Sequence, residues 1–287
     1  MVLKPALNSG HPPRDLVTLI TDFGTGDPYV GVMKGVMLSV APWLRFVDIT
    51  HEVGPQNVRE GAFIVATSWR YFPPGTVHLA VVDPGVGTER RPILLAGPEA
   101  FFVGPDNGLF GWVFGPPWED YPEAGPRRLP EGWRAFVLNQ PRFWRPDISR
   151  TFHGRDIFGP AAAHLAAGVR PEELGTPVDE VTALAWPRPV PTQGPALRGE
   201  VVYVDRFGNL VTNIPAKLVS PSAWVEVAGQ TIRGLSRTYA EAKGLAALIN
   251  SFGLLEVAVP GGNAAAALAA GPGTLVTVRQ VEGPKAG

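Results

Sequence analysis

The chain has 287 residues and a net charge of −1, from 25 basic and 26 acidic side chains, so it lacks the basic excess with which a nucleic-acid binder neutralises phosphates. It carries 34 glycines and 31 prolines, yet 45% of its residues are hydrophobic, which excludes low-complexity disorder. Cysteine is absent, so disulfides, thiolate metal sites, iron–sulfur clusters and cysteine nucleophiles are excluded as well.

Residues 1–15 (MVLKPALNSGHPPRD) are Pro-broken and lack the apolar core of a signal peptide. No apolar run reaches the roughly 18 residues of a membrane helix. The expectation is a soluble cytoplasmic protein with an N-terminal extension over 1–15. Leu16–Thr21 (LVTLIT) reads as a buried strand. Asp27-Pro28 reads as a helix start, with Asp27 as N-cap, and Val30, Met33, Val36, Met37 and Val40 follow at helical spacing. Residues 45–50 (RFVDIT) form a second strand. Asn57 and Glu60 resemble a capping box ahead of Ala62, Phe63, Ala66 and Trp69. Residues 76–82 form a third strand, and a last helix is predicted over Gly159–Ala167, opening with Pro160. This β-α-β-α-β order predicts an α/β domain over 16–186, with a mostly parallel sheet and helices on both faces. Residues 187–195 (PRPVPTQGP) read as a Pro-rich linker. Beyond it, short strands over 199–205, 223–227, 254–259 and 275–281 predict a small antiparallel β domain spanning 196–287.

In an open α/β sheet, ligands bind beyond the carboxyl ends of strands. Asp22 follows the first strand in TDFGTGD, and Asp83 follows the third in VVDPGVGTERR, ahead of Arg90 and Arg91. Asp106 lies in GPDNG. TFHGRD brings His153, Arg155 and Asp156 together before the Pro160 helix, and DRFGNLVTN offers Asp205, Asn209 and Asn213. Each has a plainer reading: Asp before Gly or Pro forms turns, and a lone His before a helix caps or packs. There is no P-loop, no G-x-S-x-G elbow and no metal-ligand spacing among the histidines, and DFG stands without other kinase signatures. Carboxylates, amides and aromatics suit a polar, cationic small ligand.

Seven segments occur in order across residues 16–270: TDFGTGDPYVGVMKG, DITHEVGPQNVREGA, VVDPGVGTERRPI, GPDNGL, TFHGRDIFGPAAAHLA, DRFGNLVTNI and LINSFGLLEVAVPGGNAA. Together they resemble the S-adenosyl-L-methionine (SAM) hydroxide adenosyltransferases, relatives of the fluorinase and chlorinase. The resemblance implies a C-terminal β-barrel-like domain and a homotrimer whose active sites lie at subunit interfaces. It implies hydrolysis of SAM to adenosine and L-methionine, with SAM as substrate and neither cofactor nor metal. Asp83, Arg90 and His153 match the set that positions and polarises water. Asp22 matches the ribose-binding carboxylate, and Asp27 and Asp205 fall near the methionine ammonium. Phe152, Ser251 and Glu256 match further substrate-binding positions. Phe207 and Asn209 match the adenine contacts, as does the backbone near Val259. Where the fluorinase has Tyr and Ser, this chain has Asp83 and Gly154, a change that repels a halide and favours water. Gln56, Phe252 and Pro260 also depart from relatives, without touching the Asp83–Arg90–His153 set.

The implied reaction is an in-line displacement at ribose C5′ with a neutral leaving group, so no general acid is required. His153, by its ordinary pKa, and Asp83, held by Arg90, are alternative proton acceptors. Rival readings are a non-catalytic SAM or adenosine sensor, a 5′-halogenating relative and a metal-dependent hydrolase built on Asp22, Asp83 and Asp106.

Overall fold

A computed structural model describes residues 14–115, 123–192 and 194–280. Most of the N-terminal extension and the last residue of the predicted 275–281 strand lie outside them. The described residues fall into two compact units, one up to Ala185 and one from Trp186 onward.

The N-terminal unit runs β1 (Leu16–Thr21), α1 (Tyr29–Val40), β2 (Arg45–Thr50), α2 (Val58–Ser68), β3 (Thr76–Val81), β4 (Pro92–Ala96), β5 (Ala100–Pro105), β6 (Gly125–Arg128), β7 (Arg134–Leu138), α3 (Gly159–Ala166), α4 (Pro171–Leu174), β8 (Gly175–Val178) and β9 (Glu180–Ala183). Seven strands form one sheet in the order β2-β1-β3-β5-β4-β7-β8, while β6 and β9 pair separately. The sheet is mixed. β2, β1, β3 and β5 are parallel; strand–helix alternation predicts the first three, and β5 joins them without a preceding helix. β4, β7 and β8 join antiparallel, although α3 and α4 intervene between β7 and β8 in the chain.

Strand alternation loads both faces. Val17, Leu19, Val77, Leu79, Leu94 and Val103 face a core shared with Met33 and Met37 of α1 and Ala162 and Leu165 of α3. Ile20, Ala80, Ile93, Leu95 and Phe102 face a second core with Val65 of α2 and Trp69. Each buried Val, Leu or Ile contributes about 1.5–3 kcal/mol, so a one-residue slip of a central strand would exchange the two faces at a cost of many such terms.

Asn57 caps α2, its side chain accepting from the Glu60 N–H at 3.2 Å, but Glu60 reaches back to the Gly54 N–H rather than to that of Asn57. The Asp27 cap is corrected: Pro28, already in helical geometry, occupies the cap position of α1, and no side chain bonds there. Asp27 stands one residue too early and is exposed.

The C-terminal unit holds β10 (Val190–Pro191), β11 (Ala196–Val204), β12 (Leu210–Pro215), β13 (Trp224–Val227), β14 (Gln230–Arg233), β15 (Ala246–Ile249), β16 (Leu254–Ala258), α5 (Ala264–Leu268) and β17 (Leu275–Arg279). Its strands run β14-β13-β17-β11-β12-β16-β15, antiparallel throughout, and curl into a nearly closed barrel. Val201, Leu210, Ile214, Val225, Leu255, Val257 and Val276 fill it. The Pro-rich stretch is not a bare linker, since β10 pairs with β11.

Candidate active site

Asp22 and Asp83 lie just beyond the carboxyl ends of β1 and β3, neighbouring parallel strands, and this adjacency brings the two carboxylates to one cavity of about 630 Å3. Phe23, Tyr29, Gln56, Phe152, His153, Gly154 and Arg155 complete much of its wall. Asp22 accepts the Gln56 N–H at 2.7 Å. Gln56 itself has φ 63°, a left-handed conformation that costs a non-glycine residue of order 1 kcal/mol and recurs at functional sites. Phe23, Tyr29 and Phe152 meet edge to face, with centroids 5.3 to 5.9 Å apart.

Arg90 is the hub of the predicted catalytic set. Its Nε donates to both Asp83 oxygens at 3.0 and 3.1 Å, and its Nη2 donates to Oδ2 at 2.5 Å. The same Nη2 lies 2.8 Å from His153 Nδ1. The Asp83 and Arg90 side chains are only 5% and 10% exposed. A guanidinium donates and never accepts, so His153 Nδ1 is the acceptor and the ring proton sits on Nε2. Burial, reinforced by the Arg90 charge, holds the His153 pKa below its ordinary value, against the opposing pull of Asp83 and Asp156. The ring is therefore a neutral Nε2–H donor at pH 7.

Two further features seat His153. A π-helical turn, Gly154–Phe158, follows it directly and runs into α3; such turns recur at functional sites. Asp156 in that turn is fully buried and accepts from the Ser149 N–H at 2.8 Å and from Arg155 at 2.6 and 2.9 Å, with Arg145 at 3.3 Å. Burial would raise its pKa, but Arg155, Ser149 and Arg145 outweigh this and hold it below the ordinary carboxylate value. Gly87, at φ +77°, brings the Asp83 loop against the segment entering His153: a Cβ there would lie 2.4 Å from the Arg150 carbonyl oxygen. Gly154 is also confined, since a Cβ would meet Met33 Sδ at 3.0 Å and the Phe152 ring at 3.3 Å.

Not every predicted residue gathers here. Asp27 is not among the residues lining the cavity. Asp106 is held by Arg91 at 2.8 and 2.5 Å and by the Thr182 N–H at 2.7 Å, a structural clamp. Among the described residues, no group of three or more His, Asp or Glu side chains is arranged to hold a metal.

The remaining predicted residues belong to the C-terminal unit. Asp205 organises its turn, with Oδ1 accepting the Phe207 and Asn209 N–H groups at 2.9 Å and Oδ2 accepting Asn209 Nδ2 at 2.8 Å. Gly208 at φ +80° permits the turn, which leaves Phe207 74% exposed. Glu256 is buried on β16 and accepts from Tyr239 Oη at 2.6 Å and Asn250 Nδ2 at 3.2 Å. Burial chiefly, with Asp205 adding to it, raises its pKa. Ser251 is exposed in the turn before β16, and Val259 follows that strand, half-buried against the barrel core. Gln56, Gly87 and Asp156 all lie within the seven segments quoted above, but only Asp156, in TFHGRD, is among the polar residues that the sequence singles out for chemistry; the backbone roles of Gln56 and Gly87 are not.

Comparison with known proteins bears on this arrangement. Residues 17–175 match the model of the SAM hydroxide adenosyltransferase N-terminal domain, and residues 199–277 match that of its C-terminal domain. A Thermus thermophilus protein named (R)-S-adenosyl-L-methionine hydrolase is 42% identical over 88% of this chain and 94% of its own length. One of the same name from Salinispora tropica is 37% identical over 93% and 98%. A fluorinase from Actinoplanes sp. is 31% identical over 72% of each. The solved structure of an uncharacterized conserved protein from Thermotoga maritima superposes with a TM-score of 0.81 at 34% identity, covering 92% of this chain and 100% of that one. The chain belongs to the SAM hydroxide adenosyltransferase family.

Proposed function

We propose that this protein hydrolyses S-adenosyl-L-methionine to adenosine and L-methionine, with the (R) sulfonium epimer, which appears in its relatives' names, as substrate. The observation that carries the catalytic reading is Arg90 bound at once to Asp83 and to His153 Nδ1.

The bridge divides two roles. Water approaches C5′ opposite sulfur. His153 Nε2–H donates to its oxygen and aims it, while the Asp83 carboxylate accepts a proton from it as the C–O bond forms and the C–S bond breaks. The sulfur pair leaves with neutral methionine thioether, and the proton passes from Asp83 to solvent. A positioned acid–base group supplies roughly 10²–10⁴-fold. No cofactor or metal enters this scheme, because the sulfonium is itself the activated leaving group.

Asp22 is suited to the ribose diol, since a carboxylate accepts two hydroxyl donors side by side. Phe207 and Asn209 serve adenine, the former by stacking and the latter by edge hydrogen bonds, with the Val259 backbone nearby. Asp27 and Asp205 serve the methionine ammonium, Ser251 and Glu256 the methionine or ribose end, and Phe152, which lines the cavity, is a further substrate contact. The catalytic set sits in the N-terminal unit and the adenine set in the C-terminal unit. In the proposed homotrimer, one subunit supplies the first set and its neighbour the second. Exposed Phe207 supports this, as do Val32, Leu38, Trp43 and Val47, large apolar residues left in water on and beside α1 and edge strand β2. A cytoplasmic setting fits a soluble nucleoside substrate, and among the described residues no helix is long and apolar enough to cross a membrane.

Incubation with each SAM epimer in ¹⁸O-water tests the function. Adenosine labelled at the 5′-oxygen, together with methionine, is expected from the (R) epimer. SAM binding without methionine release would refute the reading and identify a sensor. Formation of 5′-chloro-5′-deoxyadenosine from SAM and chloride in preference to adenosine would refute water as nucleophile.

A further inference from the structure

A carboxylate that grips a diol must be aimed as well as present. Asp22 Oδ2 accepts the Gln56 N–H at 2.7 Å, and among the described residues no partner holds Oδ1, so the neighbouring chain must set its direction. Thr21, fully buried, precedes it at the end of β1, and His51, 5% exposed, follows the end of the parallel neighbour β2. Parallel pairing brings these two side chains together, with Thr21 Oγ1 2.9 Å from His51 Nδ1. The other ring nitrogen, Nε2, lies 3.1 Å from Asp48 Oδ1, and Lys34 Nζ of α1 donates to Asp48 Oδ2 at 2.6 Å. Burial would raise the Asp48 pKa, but Lys34 and His51 outweigh it and hold it below the ordinary carboxylate value.

For the neutral imidazole these contacts admit one arrangement of protons. An ionised carboxylate only accepts, so the ring proton sits on Nε2 and Nδ1 accepts from the Thr21 hydroxyl. The hydroxyl oxygen in turn accepts the Phe23 N–H at 3.3 Å, and the His51 carbonyl accepts the Gly24 N–H at 2.7 Å. Residues 21, 23 and 24 are thus tied to His51, while Asp22 between them is tied to Gln56 of the same β2–α2 loop. Thr21, Asp48 and His51 do not line the cavity themselves; Asp22 and Phe23 do. A carboxylate set in so fixed a loop has little freedom left to lose when it binds.

We infer that His51 is a positioning residue: anchored by Asp48 and acting through the Thr21 hydroxyl, it holds the Asp22 loop so that the carboxylate meets the ribose hydroxyls. The inference rests on the SAM-hydrolase reading above, with Asp22 on the ribose. It makes discrimination between ribose and deoxyribose substrates depend on side chains that touch neither.

The test measures kcat and KM for SAM and its 2′-deoxy analogue in the wild type, His51→Phe, Thr21→Val, the double variant and Thr21→Ser. A hydrogen bond to a charged group corresponds to roughly 10- to 100-fold, so the wild type is expected to prefer SAM by about that factor in kcat/KM. His51→Phe and Thr21→Val should each cut the preference about fivefold or more, chiefly by raising KM for SAM, the scale on which members of one hydrogen-bond network couple. Because His51 acts through Thr21, the double variant should lose no more than the worse single variant. Thr21→Ser, which keeps the hydroxyl, should retain the preference. Damage to the fold depresses both substrates alike, so equal losses overturn the inference. A preference that survives both single variants, losses that add in the double variant, or a preference lost in Thr21→Ser overturn it too. Should His51→Phe melt early, Thr21→Val against Thr21→Ser carries the same comparison. A wild type that hydrolyses SAM without preferring it to the deoxy analogue overturns the inference and leaves the hydrolase reading intact. One that turns over neither refutes that reading and the inference with it.

Discussion

Replacing Arg90 by Lys separates charge from geometry in the catalytic set. Arg90 makes four donor contacts at 2.5 to 3.1 Å, three to Asp83 and one to His153 Nδ1. They leave from two nitrogens of one rigid plane. Lysine keeps the cation, and with it most of the buried ion pair, but has a single ammonium on a thinner stem. It cannot sit 2.8 Å from the imidazole and also grip both carboxylate oxygens. At least one charge-assisted hydrogen bond is lost, about 1.5–3 kcal/mol, or roughly 10- to 150-fold. The loss should fall on kcat, because the bridge orients the groups that touch water rather than those assigned to adenine or ribose. Adenosine release at saturating SAM, followed by chromatography, measures it, and a denaturant titration establishes that the variant is folded. A folded Arg90→Lys enzyme with kcat within threefold of wild type would show that a nearby positive charge suffices and that the bridge to His153 is irrelevant.

Three further outcomes are expected. Asp156→Ala removes a fully buried carboxylate and leaves the Ser149 N–H and two partly exposed guanidiniums without their acceptor, and should cost about 1.5–3 kcal/mol in urea denaturation; a loss below about 1 kcal/mol would contradict the account. Gly87→Ala forces a left-handed residue and a Cβ against the Arg150 carbonyl, so activity should fall at least about tenfold with a modest loss of stability, and normal kcat would show that the two loops move independently. Burial pushes His78 down to about 3, while the unfolded chain titrates near 6.5. The folded state thus binds fewer protons between those values, and stability falls as pH drops through that window, by up to about 1.4 kcal/mol per unit from this group. His78→Phe should flatten the slope measured from pH 7 to 4; an unchanged slope would place the effect elsewhere.

The legible part of this molecule is the part written in short-range pattern. Apolar runs mark β1 and β3, and the loops beyond them place Asp22 and Asp83 where parallel topology makes neighbours of their strands. The antiparallel half of the sheet is less legible, because β4, β7 and β8 are short and their pairing does not follow a regular strand–helix alternation: β6 alone separates β7 from β5, while α3 and α4 separate β7 from β8. Asp27 misled because a Pro at a helix start leaves two register choices, and Pro28 rather than Asp27 took the cap. Gln56 was illegible for a different reason: its role is a backbone N–H in a strained conformation, which no side-chain pattern encodes. The tautomer of His153 depends on one contact between residues 63 positions apart, so the choice between two proton acceptors could not be read from either motif.

That contact also bears on which nucleophile the site accepts. Arg90 spends its donors on Asp83 and His153, so little of its charge is offered to an incoming anion. Asp83 presents a negative carboxylate, and His153 presents an N–H. A halide could use the second but would be repelled by the first. In the mechanism proposed above, water uses both, donating to Asp83 and accepting from His153, and it is the only one of the two with a proton to surrender. Steric constraint at Gly154 acts in the same direction. A serine hydroxyl, of the kind the fluorinase carries there, would need a Cβ where Met33 and Phe152 leave 3.0 to 3.3 Å. The extra donor that would help desolvate a halide therefore fits only if the Met33 and Phe152 side chains give way by a few tenths of an ångström. In the proposed site the Asp83 charge and the packing at Gly154 thus both disfavour a halide. Restoring one of them alone, by Gly154→Ser or by neutralising Asp83, should not convert the reaction to halogenation.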